Sequence, residues 1–149
     1  MKEKERVEFP VNCVRLCFDN YDHEQLNGRI CAVALAEEIH FHGMTDFVVK
    51  IDDAFNQIGR PQPTQVLRSF GEGEPYQSYK ANPPTFFTGE EIATRVGKLM
   101  TLDLTMASRQ RAEWQGFLKD VKEQKAKSFA TILECIKIIE KISTNYNIP

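Results

Sequence analysis

The sequence predicts an α+β domain in which a duplicated ββα unit forms a four-stranded, mostly antiparallel sheet with two helices on one face. The first observation is a fixed offset of 88 residues, which separates Gly28 from Gly116 and Phe41 from Phe129. The second is that alternating and helical apolar patterns follow in the same order in both copies. The third is size, because 149 residues with 42% hydrophobic and 27% charged content suit one domain with a single core.

The predicted organisation is one domain over residues 1–149. It comprises a first repeat at about 11–58, a long middle segment at 59–98 and a second repeat at about 99–146. Five identities relate 14–55 to 102–143, so the argument depends on the shared, ungapped order of elements. The alternative is two independent ββα units with similar core requirements.

In the first repeat, apolar residues alternate at about 14–18 and predict a strand. A second apolar segment at about 26–35 follows a polar stretch and predicts the partner strand. Apolar residues at helical spacing then continue to Ile51, and Gly59 with Pro61 predicts the end of that helix.

The second repeat follows the same order. Alternation at about 102–106 predicts a strand, and Trp114–Val121 predicts its partner. The stretch Lys122–Lys127 is interpreted as a charged turn. Thr131 and Glu134 form a predicted capping box at the start of the last helix, because each side chain can satisfy an orphan backbone donor.

The middle segment contains a predicted short strand at Thr64–Phe70. A second capping box, Thr88 with Glu91, is followed by an apolar helical face. That face comprises Ile92, Val96 and Leu99.

Four aromatic residues make complete disorder of the middle segment less favoured, because disordered linkers are poor in aromatics. They are Tyr76, Tyr79, Phe86 and Phe87. Two interpretations stay open. The segment is a partner-binding loop, or it folds back over the sheet and covers apolar surface. The sheet face away from the helices is expected to be mixed in character, either solvated or partly covered by this segment.

Composition excludes several classes. The formal net charge of −2 gives no general attraction for nucleic acid. No apolar run reaches the roughly 18 residues that a membrane span needs, and the charged first eight residues lack a signal region. Cys13 and Cys17 are too far apart along a strand for a disulfide, so reduced thiols and a cytoplasmic location are expected.

Catalytic and metal-binding patterns are weak. His40 and His42 would share one side of a strand, but no third ligand has a recognised spacing. The chain has no P-loop, GxGxxG, GxSxG or HExxH motif. We therefore expect no catalytic residues, no metal and no cofactor.

Arg109, Arg111 and Trp114 lie at a predicted hairpin, with Lys119 and Lys122 downstream. Guanidinium groups beside an indole can hold phosphates and stack on bases. The alternative is a solvated hairpin with Trp114 as a core residue. A further candidate is Arg68, which would need a carboxylate partner if it were partly buried.

The stretch Arg109-Gln110-Arg111-Ala112-Glu113-Trp114-Gln115-Gly116, with the earlier Pro63 and Arg68-Ser69-Phe70, resembles a group of small uncharacterised bacterial proteins. These proteins share an RQ…WQG stretch followed by a helix that begins at Phe. The similarity covers roughly Val11 to Ile142. It implies a folded domain and no catalytic residues.

The sequence therefore predicts a non-enzymatic protein-binding or regulatory module. Its partner is expected to be another protein, and a homodimer is also consistent with two open sheet edges. The alternatives are a nucleic-acid-linked accessory protein or inhibitor, and an enzyme of unfamiliar type. The candidate partner-binding residues are Arg68, Tyr76, Tyr79, Phe86, Phe87, Arg109, Arg111 and Trp114.

Overall fold

The computed structural model describes residues 9–59, 83–110 and 113–148. These residues form six strands and three helices, so the predicted α+β class is confirmed. The prediction of four strands is wrong. The strands are β1 (Cys13–Asp22), β2 (Gln25–Cys31), β3 (Ile39–His42), β4 (Met100–Gln110), β5 (Glu113–Asp120) and β6 (Lys125–Phe129). The helices are α1 (Gly43–Ile58), α2 (Gly89–Ala93) and α3 (Ile132–Asn145).

All six strands pair antiparallel in one sheet of order β3-β2-β1-β4-β5-β6. The order is symmetric about the central β1–β4 pair, where Leu16 lies opposite Leu102. Each half has the order strand, strand, strand, helix. The predicted ββα unit is therefore incomplete, because a third strand precedes the long helix in both halves.

The two missed strands lie at the ends of the sheet. In β6, Lys125 to Ser128 are all exposed, so the strand has no alternation of apolar and polar residues. The interpretation of Lys122–Lys127 as a turn is therefore wrong from Lys125 onward, where the strand begins. In β3, only Phe41 is buried, and helix α1 begins directly after this four-residue strand.

The main core lies between the sheet and the two long helices. Phe18, Phe41, Phe47 and Trp114 form a continuous line of edge-to-face rings, with centroids 5.2 to 6.4 Å apart. Trp114 is 1% exposed. Aromatic pairs in this geometry add about 0.5–1.5 kcal/mol each beyond the burial of apolar area. The indole is thus a core residue, as the second interpretation of Trp114 held.

Gly28 and Gly116 occupy matching places in the two halves. Gly28 lies opposite Phe18, beside a register shift in β1, and Gly116 lies opposite Met106, beside a register shift in β4. A Cβ on Gly28 would overlap the carbonyl oxygen of Cys17, and one on Gly116 would overlap the equivalent carbonyl of the facing strand. Only glycine therefore allows the strands to approach this closely.

The helix ends follow the predicted signals in part. Helix α1 ends before Gly59, which has a φ of 84° and donates its N–H to the Phe55 carbonyl at 2.8 Å, whereas Pro61 lies outside the described residues. At α3, Thr131 accepts the N–H of Glu134 as predicted. The Glu134 carboxylate instead accepts the N–H of Ala130, one residue before the cap, at 2.7 Å.

Helix α2 has the complete capping box predicted for Thr88 and Glu91, but it ends at Ala93. Val96 and Leu99 therefore lie beyond the end of the helix, and Val96 is 58% exposed. The predicted apolar helical face of Ile92, Val96 and Leu99 does not form. The chain instead turns back to the sheet, where the Leu99 N–H donates to the Phe18 carbonyl at 2.8 Å.

Residues 83–98 cover part of the sheet face opposite the long helices. The Phe86 N–H donates to the Val33 carbonyl at 2.7 Å, and Ile92 is buried against Cys17 and Cys31. This part of the middle segment therefore folds over the sheet, as the second interpretation of the segment held. The predicted strand Thr64–Phe70 lies outside the described residues.

Candidate functional site

An open groove of about 670 Å³ lies between helix α3 and the β5–β6 hairpin. Its floor is apolar and is formed by Leu118, Ile138, Ile142 and the ring of Tyr146. The last three are partly buried against the main core, so the floor is a continuation of that core. Its volume falls within the range typical of ligand sites.

Four lysines rim this groove, which we call the lysine-rimmed groove. Lys125 and Lys127 come from β6, where alternate residues point to the same side of the sheet. Lys137 and Lys141 come from α3, where residues four apart lie on one helical face. No ion pair found among residues 9–59, 83–110 and 113–148 involves these ammonium groups. The exposed carboxylate of Glu123 also lines the groove, so the rim carries four ammonium groups against one exposed carboxylate and its net charge is positive.

An acidic residue at one end of the groove is held by its own partners. Asp120 is buried, and both of its carboxylate oxygens accept the Tyr146 hydroxyl, at 2.8 and 3.0 Å. Burial and this carboxylate raise the pKa of Tyr146 to about 12, so the phenol stays a donor at neutral pH. Asp120 also accepts the backbone N–H of Lys122 at 3.1 Å. The carboxylate therefore fixes the β5–β6 turn against the end of α3.

The first half of the sheet lacks such a rim. Its loop between β2 and β3 is longer and contributes Ala34 and Leu35 to the main core. The four positions that lie 88 residues before the rim lysines are not basic. They are Glu37, Ile39, Val49 and Asp53. The charge is thus a property of the second half and not a requirement of the fold.

Arg109 lies inside the domain, contrary to its proposed role in partner binding. The residue is 2% exposed, and its Nη1 binds Asp52 Oδ1 at 2.7 Å while Nη2 binds Asn56 Oδ1 at 3.0 Å. The guanidinium therefore ties β4 to α1. Trp114 is equally buried, so neither side chain presents surface to a partner, and both assignments are corrected to structural positions.

The two aromatic candidates in the described part of the middle segment differ. Phe86 is 52% exposed, whereas Phe87 is partly buried beneath the Arg95 guanidinium, 4.8 Å from its ring centroid. Phe86 thus keeps an accessible face. The candidates that lie outside the described residues are Arg68, Tyr76, Tyr79 and Arg111.

The thiols are poorly placed for nucleophilic chemistry. All four cysteines are buried and free. Burial raises the pKa of Cys13 and of Cys135 to about 12, and the hydrogen bond with Cys17, together with burial, raises that of Cys31. The pKa of Cys17 is instead lowered, chiefly by its hydrogen bond with Cys31, but this side chain is completely buried. A buried thiol is inaccessible to a substrate, and a protonated thiol is a weak nucleophile.

His40 and His42 are both exposed on β3. Throughout the described ranges, no group of three His, Cys, Asp or Glu side chains is arranged to hold a metal ion. The described helices are all too short or too polar to cross a membrane.

Comparison of this chain with protein-family models, with curated proteins and with solved structures finds no match. The resemblance to small bacterial proteins with RQ…WQG and RSF stretches therefore stays a prediction.

Sequence reasoning missed the four rim lysines. A signal was present, because Lys125 and Lys127 alternate and Lys137 and Lys141 are one helical turn apart. The interpretation of Lys122–Lys127 as a turn prevented the spacing of Lys125 and Lys127 from being assigned to a strand. Without β6, the two pairs of lysines have no common groove to surround.

Proposed function

We propose that this protein is a non-enzymatic binding module whose lysine-rimmed groove holds an acidic, partly apolar segment of a partner protein. The single observation that carries the proposal is an apolar floor surrounded by four lysines that take part in none of the ion pairs of the described residues. The sheet, α3 and the Asp120–Tyr146 contact hold this surface in place.

The rim and the floor support different parts of the binding. Charge complementarity speeds encounter and selects an anionic partner, although each exposed ion pair contributes only about 0.2–1 kcal/mol. Burial of the apolar floor supplies further affinity at roughly 25 cal/mol per Å². The partner segment is therefore expected to combine carboxylates with at least one apolar side chain.

A nucleic-acid partner is the second hypothesis, and it loses two of its supports. Arg109 and Trp114 are buried, so base stacking and phosphate contacts there would require the core to open. The remaining basis is Lys119 and Lys122 together with the rim lysines. A direct contact of this kind predicts steep weakening with salt.

An enzyme of unfamiliar type is the third hypothesis. The buried thiols and the exposed histidines of β3 give it little support. A thiol enzyme would need a nucleophile that is both accessible and ionised.

We also infer that the two halves are copies of one βββα unit. The support is a set of features that recur 88 residues apart. The paired strand glycines Gly28 and Gly116 recur with their neighbouring register shifts, and the first-turn carboxylates Asp46 and Glu134 each accept a backbone N–H four residues earlier. In this view the lysine rim arose in one copy only, as expected for a function added to a duplicated scaffold.

The test is binding of a labelled peptide, measured by fluorescence anisotropy. The Glu peptide has about seven residues, in which two Glu and one Val alternate with Thr. The Gln peptide replaces each Glu by Gln. We expect the Glu peptide to bind and the double variant Lys137→Gln, Lys141→Gln to weaken it by about fivefold, because two exposed pairs at about 0.5 kcal/mol each are lost.

Lys98→Gln is the matched control, because Lys98 is exposed on the segment that covers the opposite sheet face. This variant should bind like the parent protein. Equal affinity for the Glu and Gln peptides, or no effect of the double variant, would refute the proposal. Binding of single-stranded DNA at the same variant-sensitive site would favour the second hypothesis instead.

A further inference from the structure

Strand β6 lies at the end of the sheet and forms one wall of the lysine-rimmed groove. Within the described ranges it pairs with β5 alone, through positions such as Lys127 opposite Leu118. Its other backbone edge faces no described strand, and Lys125 to Ser128 are exposed. An unpaired edge beside a groove is a template for a further strand.

The side chains of β6 select what can pair there. Lys125, Ala126 and Lys127 all line the groove. Strand alternation puts the side chains of Lys125 and Lys127 on one side of β6, and the small residues Ala126 and Ser128 lie on the other side. Antiparallel pairing of two copies of β6 would bring lysines close to lysines, which is destabilising. An acidic strand would place opposite charges there instead.

We propose that the acidic segment binds as a seventh strand along β6, with alternate side chains directed into the lysine-rimmed groove. This inference deepens the proposed function and rests on it. Carboxylates at two groove-facing positions lie beside Lys125 and Lys127, and an apolar residue lies over Ile142. Backbone hydrogen bonds to β6 supply affinity that is independent of the partner's sequence, and the groove supplies selectivity.

Helix α3 makes this arrangement selective for charge. Lys137 and Lys141 approach the same side chains from the helix, so a groove-facing carboxylate meets ammonium groups from two elements. The opposite edge of the sheet offers no such match. Its strand β3 has four residues and carries His40 and His42 on its exposed side. The seventh strand is therefore expected at β6 and not at β3.

The experiment uses backbone N-methylation of the Glu peptide. In an extended strand, successive N–H groups point to opposite edges, so methylation of alternate residues blocks only one edge. Two peptides are made, methylated on odd or on even residues. We expect one of them to lose at least about tenfold in affinity, because two or three hydrogen bonds are removed, and the other to stay within about twofold.

Hydrogen exchange gives the second readout on the unmodified protein. Binding of the Glu peptide should slow exchange of the β6 amides, whereas those of β3 serve as the internal control. If the parent peptide binds but both methylated peptides behave alike and β6 exchange is unchanged, the seventh strand is refuted and the proposed function stands.

Two further outcomes also decide the matter. Failure of the parent Glu peptide to bind removes both proposals. Slow β6 exchange in the protein alone, rising on dilution, would show that a second copy occupies the edge and would overturn the acidic strand.

Discussion

Arg15 and Asp103 lie opposite each other in the central β1–β4 pair and form a two-point ion pair. The Arg15 Nε is 2.8 Å from Asp103 Oδ1, and Nη2 is 3.1 Å from Oδ2. The residues are 88 positions apart, which is the same offset that separates Gly28 from Gly116. Nη1 donates to the carbonyl of Ala93 at 2.8 Å. One guanidinium thus joins both halves to the segment that covers the sheet.

Replacing Asp103 by Asn should destabilise the protein strongly. Burial lowers the pKa of Arg15, but the Asp103 carboxylate has the larger effect and the pKa is raised. In the variant, the guanidinium would remain charged and buried without the Asp103 carboxylate. We expect a loss of about 2–4 kcal/mol in the free energy of unfolding, slightly below the range for a fully buried pair because Asp103 keeps some exposure. Urea unfolding followed by Trp114 fluorescence measures it. A loss below about 1 kcal/mol would contradict the assignment.

Gly28→Ala and Gly116→Ala should destabilise the two halves similarly. Each added methyl group would overlap a backbone carbonyl oxygen of the facing strand, and backbone cannot rotate away as a side chain can. We expect each variant to lose about 1–3 kcal/mol, the usual cost of overpacking, in urea unfolding. A neutral effect at both sites would show that the strands separate freely, and a neutral effect at one would weaken the equivalence of the halves.

Asp52→Ala tests the buried position of Arg109. The variant removes the Asp52 carboxylate, which lies 2.7 Å from the Arg109 Nη1 in the parent protein. Because Asp52 itself is 54% exposed, water can replace part of the interaction, and we expect a loss of about 1–2 kcal/mol. Asp53→Ala is the matched control, since this neighbouring carboxylate is exposed and should change stability by less than about 0.5 kcal/mol.

The sequence predicted the parts of the fold in which one face is apolar and the other polar. Strands β1, β2, β4 and β5 and the two long helices have this pattern, and Gly59 and the Thr88 capping box mark ends that the structure confirms. Strand β6 was missed because an exposed edge strand has no apolar face to reveal it. Hydrophobic periodicity in a sequence indicates which residues are buried. It therefore cannot identify a strand whose two faces are both exposed to solvent.

Arg109 shows a different limit. Its burial depends on Asp52 and Asn56, which lie more than fifty residues away along the chain and are brought close only by packing of α1 against the sheet. The groove depends in the same way on the approach of α3 to β6. Local patterns predict elements, whereas charge pairing and open grooves belong to the tertiary arrangement.

All four thiols should react slowly in the folded protein because all four are buried, although the hydrogen bond with Cys31 lowers the pKa of Cys17. Cys13 and Cys135 are buried, and burial raises the pKa of each to about 12, so a negligible fraction is thiolate at pH 8. We expect reaction with a disulfide reagent at pH 8 to be at least about 100-fold slower than in urea, where the thiols have ordinary pKa values near 8.5. A rapidly reacting thiol in the folded state would revive the enzyme hypothesis.

Glu38 should contribute to acid unfolding. Its carboxylate lies 3.1 Å from Arg29 Nη1 and 3.0 Å from Arg95 Nη1, and it accepts the Cys31 thiol at 3.4 Å. Burial opposes ionisation, but the thiol and the two guanidinium groups outweigh it and lower the Glu38 pKa from its usual 4.5. The folded state therefore binds the proton less readily than the unfolded state does. The resulting stability is complete above pH 4.5 and is lost as the pH falls through the folded pKa.

The check is the free energy of unfolding of the parent protein and of Glu38→Gln at several pH values from 7 to 3. The variant should be less stable at pH 7 and should lose less stability between pH 5 and 3, because one depressed carboxylate is gone. Glu37→Gln is the matched control for the loss of one carboxylate, since Glu37 is the neighbouring residue and is exposed. Asp46, whose pKa is also lowered by the His42 N–H and Lys50, keeps part of the acid dependence in every variant. Identical slopes for the parent and Glu38→Gln would show that this carboxylate is not held by the two arginines in solution.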